Sequence, residues 1–113
     1  MELKESVTGE IVTLHLKGEI DLHASPVLRE ALMVQAHAKC PKLLLDFTEV
    51  GYIDSSGLAT LIEYCRECSE FKGKLGLYGL ATRVRMVFDL VRLNELFTIT
   101  TDVDAAVAEV NKE

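Results

Sequence analysis

Residues 50–65, VGYIDSSGLATLIEYC, carry an apolar run that breaks into Asp54-Ser55-Ser56-Gly57 and then resumes with apolar side chains at helical intervals. Just upstream, KLLLDF (42–47) is short and nearly continuously apolar. That is the pattern of an interior parallel strand covered on both faces rather than of an antiparallel strand with one wet side. Downstream from Ser56, the side chains Leu58, Leu61, Ile62, Cys65 and Cys68 share one helical face, and Gly73 offers a C-terminal stop. A buried strand, a polar turn and an amphipathic helix together make the repeating unit of an α/β layer.

The flanking sequence extends this unit in both directions. IVTLHLK (11–17) alternates Ile11, Thr13, His15 and Lys17 against Val12, Leu14 and Leu16, which predicts a strand with one face buried. A preceding strand over Leu3 to Thr8 can pair with it through a Gly9-Glu10 turn. In GEIDLHASP, Ser25 is the expected helix cap and Pro26 the first helical residue, opening a helix to about Ala38. Val27, Leu28, Ala31, Leu32 and Val34 are its expected inner positions, with Arg29, Glu30 and Lys39 toward solvent. KLGLYG predicts another strand, and Thr82 a helix cap before Val84, Val87, Phe88 and Val91. LFTIT predicts the last strand, and Asp102 caps a final helix with Val103, Ala106, Val107 and Val110 inward. The fold class is therefore α/β, a single mixed sheet with helices packed on it, and residues 1–113 are expected to form a single domain.

Composition bounds the function. Twelve basic against eighteen acidic residues give a net charge of −6, which opposes phosphate-driven binding to nucleic acid or to anionic lipid. No apolar run approaches the ~20 residues of a membrane span, and MELKESVTGE lacks a signal-peptide pattern, so a cytoplasmic protein is expected. Cys40, Cys65 and Cys68 make neither an even disulfide set nor a four-ligand zinc set. Cys65 and Cys68, three apart within a helix, suit core packing.

The Asp-Ser-Ser-Gly turn admits three kinds of chemistry. A nucleophile elbow needs glycine two residues either side of its serine, yet Ser55 has Ile53 before it and Ser56 has Leu58 after it. Nothing in the sequence ties His15, His23 or His37 to Ser55 as a base. Neither phosphate-binding glycine motif is present, and no cofactor is expected. The second possibility is helix capping alone by Asp54, Ser55 and Ser56. The third makes Ser55 a substrate for another protein's active site, where a phosphoryl group would add a charge of about −1.5 to −2 at a helix N-terminus.

The segment YIDSSGLATLIEYCRECSEFKGKLGLYGLATRVRMVFDLVRLNELFTI (52–99), with GEIDLHASPVLREAL (18–32) and KLLLDFTEVGYIDSSGLATL (42–61), closely resembles the STAS domains of the bacterial anti-sigma factor antagonist family. That resemblance covers nearly the whole chain. It implies that Ser55 is phosphorylated by an anti-sigma factor that is also a serine kinase, and that a metal-dependent serine phosphatase resets it. It further implies that the unphosphorylated form binds the anti-sigma factor and frees a sigma factor. Asp21, Ser25, Asp54, Ser56 and Gly57 carry over as neighbours of the acceptor, with Asp21 and the start of the first helix as part of the partner surface. Read from the residue itself, Gly57 leaves room for close approach of a partner's backbone. Ala59 stands where relatives often have a second glycine. Related domains also serve as scaffolds or transport-complex subunits without serine phosphorylation, which is the alternative function.

Overall fold

The computed structural model describes residues 1–112. Strands β1 (Glu2–Thr8) and β2 (Ile11–Ile20) are followed by α1 (Ser25–His37), β3 (Lys42–Ile53), α2 (Ser55–Glu70) and β4 (Lys74–Tyr78). After these come α3 (Thr82–Leu90), a 3-10 turn (Leu93–Glu95), β5 (Thr98–Thr100) and α4 (Val103–Val110). The five strands form one sheet in the order β1-β2-β3-β4-β5, antiparallel between β1 and β2 and parallel thereafter. Thr8 pairs with Ile11, so Gly9-Glu10 is a two-residue hairpin loop, and Gly9 takes the positive φ of 62° that such a loop requires.

Because each parallel strand adds beside the previous one in the same direction, crossovers of one hand bring successive helices to one face. Leu28 and Leu32 of α1, Leu58 and Leu61 of α2, and Val84 and Phe88 of α3 share a core with Leu43, Leu45 and Phe47 of β3. The opposite face is covered at β3 and β4 by α4 alone, through Leu44, Tyr78, Ala106 and Val110. The apolar run at residues 43–45 is thus buried on both sides, which is why it does not alternate.

Several expectations need correction. Ser25 does not cap α1: Ala24 holds the cap position without a side-chain bond, and Ser25 is already helical. Nor does Thr82 cap α3, where Ala81 stands at the cap and Thr82 opens the helix. Asp102 does cap α4, accepting from the Ala105 amide at 2.8 Å. The left-handed residue closing α2 is Lys72, φ 59°, rather than Gly73. Gly73 is needed for a close approach, since a Cβ there would lie 2.6 Å from the Phe71 ring and 2.9 Å from the Cys40 carbonyl oxygen. Val27, Val34 and Val103, all expected inward, are exposed, and Val91, expected on α3, is exposed at the residue just past its end. Tyr64, which the spacing argument passed over, is wholly buried on α2, and its hydroxyl has no partner among the described residues.

Candidate functional site

The site forms where the ends of β2 and β3 lie side by side. The Asp54 amide donates to the Ile20 carbonyl at 3.1 Å, so the two strands leave the sheet together and the starts of α1 and α2 converge. Asp54, in extended backbone, is the cap of α2. Its Oδ1 accepts from the Ser56 amide at 2.9 Å, the Ser56 hydroxyl at 2.6 Å and the Gly57 amide at 3.2 Å. The Ser56 hydroxyl foremost, helped by the amides of Gly57, Ser56 and Leu22 against a desolvation penalty, holds the Asp54 carboxyl below the usual range.

Ser56 also meets Ser25 across the two loops, Oγ to Oγ at 2.7 Å, while Ser25 Oγ donates to the Asp21 carbonyl at 2.8 Å. Three contacts, Asp21 O to Ser25 to Ser56 to Asp54, share two hydroxyl protons. The carboxylate claims the proton of Ser56, and that of Ser25 divides between its two neighbours. Asp21 closes the β2–α1 loop itself: its Oδ1 accepts from the amides of His23 and Ala24, each at 3.0 Å. It does for this turn what Ser25 was expected to do for the helix.

Ser55 behaves differently. It is the first residue of α2, exposed, and its hydroxyl makes no hydrogen bond among the described residues. Gly57 is buried, and a Cβ there would lie 2.7 Å from Ile20 Cγ2 and 2.8 Å from Ile53 Cγ1. The close approach it permits is to the protein's own strand ends. Ala59 is exposed and leaves the site undisturbed.

None of the three histidines bonds to Ser55 among the described residues. His15 instead joins a relay that sequence reasoning missed, with Ser6 Oγ to His15 Nε2 at 2.9 Å and His15 Nδ1 to Asp46 Oδ2 at 2.7 Å. Thr48 donates to Asp46 Oδ1 from its amide at 2.9 Å and its hydroxyl at 2.7 Å. Burial alone would raise the Asp46 carboxyl, but Thr48 and His15 outweigh it and hold it below its ordinary value. The relay stands on the sheet face away from α1–α3. Its bonds run from β1 through β2 to β3, so the relay works as a staple across the three strands. Its signal in the sequence was the shared polar parity of Ser6, His15 and Asp46 on neighbouring strands.

The cysteines carry no reactive character. Cys40 and Cys68 are buried, Cys65 partly so, and all three are free thiols. Burial raises each thiol, that of Cys68 to about 11 with Cys65 and Cys40 adding to the effect. No group of three or more metal-ligating side chains occurs among the described residues, and no helix there is long and apolar enough to cross a membrane.

Comparison with known proteins agrees with this architecture. The family model described as the STAS domain matches residues 3–106. The anti-sigma-B factor antagonist of Listeria monocytogenes serovar 1/2a is 32% identical over 99 residues, covering 88% of this chain and 86% of that one. Among solved structures, an anti-sigma factor antagonist from Mycobacterium paratuberculosis matches with a TM-score of 0.90 at 22% identity, over 98% of this chain and 94% of that one. The Bacillus cell fate determinant SpoIIAA, in its phosphorylated form, matches with a TM-score of 0.73 at 24% identity, over 97% and 100% of the two chains. With the family model spanning nearly all of its sheet and helices, this chain belongs to the STAS domain family, on the branch of the anti-sigma factor antagonists.

Proposed function

We propose that this chain is a phosphorylation-switched binding protein of the cytoplasm rather than an enzyme. With Ser55 unmodified it sequesters an anti-sigma factor that is also a serine kinase, and so frees a sigma factor. Transfer of the γ-phosphoryl of ATP to Ser55 Oγ, with ADP leaving, ends that binding, and a metal-dependent serine phosphatase restores it. The observation that carries this reading is the contrast between the two hydroxyls: Ser56 is held between Asp54 and Ser25, while Ser55 is exposed and unbonded at the first position of α2. Asp54 Oδ1 is committed to the helix cap, accepting from the Ser56 amide and hydroxyl and from the Gly57 amide.

A phosphoryl group at Ser55 adds about −1.5 to −2 of charge beside the Asp54 carboxylate. The α2 N-terminus favours that anion by roughly 0.3–1 kcal/mol, so the fold tolerates it. A partner surface carrying like charge does not, because such juxtaposition costs several kcal/mol. Asp21 and the start of α1 flank Ser55 on the same end of the sheet, which supports their role as partner contacts.

The test is intact mass after incubation with ATP and the host's anti-sigma-type kinases. Wild type and Ser56→Ala should gain one phosphoryl group, and Ser55→Ala none. A second reading, a constitutive scaffold or complex subunit, is favoured by the fact that Asp54 and Ser56 are fully accounted for as a helix cap. It predicts no phosphoryl transfer from any such kinase with partner binding intact.

A further inference from the structure

The sheet has two free edges, and they are unequal. Strand β5 is three residues long, whereas β1 offers seven, Glu2–Thr8. An edge of that length is a template for further pairing unless something blunts it. Thr8 and Ile11 close a two-residue hairpin as a hydrogen-bonded pair, and the β1–β2 register runs on from them without a bulge. Alternation from that pair turns the amides and carbonyls of Glu2, Lys4, Ser6 and Thr8 toward β2. Those of Leu3, Glu5 and Val7 face outward along the edge. The side chains divide in the same way. Glu5 accepts from Gln35 of α1 at 2.8 Å, and Leu3 lines an open groove of about 360 Å³ with Val27, Glu30, Ala31 and Val34. Glu2 and Lys4 stand on the opposite face, beside His15 and Lys17.

We propose that two copies of this chain pair antiparallel through β1, with the two-fold axis passing between their Leu3 residues, so that one sheet continues across both. The proposal stands apart from the reading of Ser55. Register and charge choose the occupant. Outward-facing backbone must meet outward-facing backbone, so the axis falls at a residue rather than between two. An axis at Glu2, Lys4 or Glu5 sets two like charges face to face, which destabilises a strand pair. An axis farther along the strand carries the two grooves apart. At Leu3, Glu2 of each copy faces Lys4 of the other, and Leu3 exchanges both backbone bonds with its counterpart. Glu2, already opposite its own Lys17, then lies between two lysines, and the second copy's Lys4 lies between Glu2 and the second copy's His15. Charges of this kind ordinarily blunt an edge. Here they match an incoming strand that carries Glu and Lys two residues apart, which a second copy supplies. On the helix face the same axis joins the two grooves over the seam, where Val27 and Val34 are 49% and 57% exposed in the single chain.

Sedimentation of the full chain from micromolar to millimolar concentration should show a reversible monomer–dimer equilibrium, weak because the seam is short. Lys4→Glu and Glu2→Lys should each raise the dimer dissociation constant about tenfold, since two cross-strand pairs turn from attraction to repulsion. A mixture of the two variants should recover the dimer, because every Glu then faces a Lys again across the seam. Thermal midpoints at low concentration confirm that each variant is folded.

A mixture of isotope-labelled and unlabelled wild-type chain decides the register. Glu2 and Lys4 would form a non-hydrogen-bonded pair across the seam, where α-protons approach most closely. An intermolecular NOE between the α-protons of Glu2 and Lys4 supports the proposal. A monomer at every concentration, a dimer indifferent to both charge variants, no recovery in their mixture, or contacts between copies elsewhere in the fold overturn it. So does an edge that never pairs with itself but whose β1 amides shift when the host's anti-sigma kinase is added, since that gives the edge to a different occupant.

Discussion

Ser55 and Ser56 are the same side chain one residue apart, and the helix start gives them opposite fates. Ser56 lies where its hydroxyl reaches back to the capping carboxylate, and its lone pairs meet Ser25 from the other loop. Replacing Ser56 with Ala should move the apparent pKa of Asp54 up toward its ordinary value, seen in carboxyl carbon shifts against pH, whereas Ser55→Ala should leave it unmoved. Ser55→Asp should weaken partner binding about tenfold or more, at ~1.4 kcal/mol per decade, and an unchanged dissociation constant would count against the switch. The Asp-Ser-Ser-Gly stretch was legible as a strand-to-helix turn from its own residues. That Asp21 O, Ser25, Ser56 and Asp54 join into one chain was not, because it depends on two loops 31 residues apart meeting at the ends of adjacent strands. Only the family resemblance brought those residues together.

At the level of elements, β3 was the most legible piece, since a strand buried on both faces needs apolar residues without alternation. Caps were the least legible. Ser25 and Thr82 are good capping residues by type, but each already lies within its helix, and the cap position falls on Ala24 or Ala81. Helix α3 ends one residue sooner than its apolar spacing suggests, and Val91, expected on it, lies exposed at its C-cap. Two packing details of α2 give opposite predictions. Gly57→Ala forces a methyl against Ile20 and Ile53, and overpacking of this kind costs about 1–3 kcal/mol, to be read from urea unfolding. Tyr64→Phe removes a buried hydroxyl with no partner and keeps the ring, so it should stabilise by on the order of 1 kcal/mol in the same assay.

Across the whole molecule the buried acids set the alkaline limit. Desolvation foremost, with neighbouring thiols, raises Cys68 from 9.0 to about 11, and desolvation with the Asp46 charge and hydrogen bond raises Tyr78 from 10.0 to about 12. In each case the folded state keeps a proton that the unfolded chain gives up first. Their contribution to stability is whole below pH 9 and is lost as pH rises from there toward 12. Chemical denaturation midpoints should fall over that window, with a shallower fall between pH 9 and 11 in Cys68→Ala measured against its own value at pH 7.

The order of strands in the sheet is their order in the chain, and this bears on how the protein is born. During synthesis every new strand joins an edge that is already present, and none has to slip between two partners that came before it. N-terminal segments emerge first at about 5–20 residues per second. Once Gly57 has cleared the ribosome, β1 to β3 and the whole Asp21–Ser25–Ser56–Asp54 linkage are available to assemble. Strands β4 and β5 with helices α3 and α4 arrive later, so the exposed Ser55 hydroxyl and the loop beside it are in place before the far edge of the sheet is laid down.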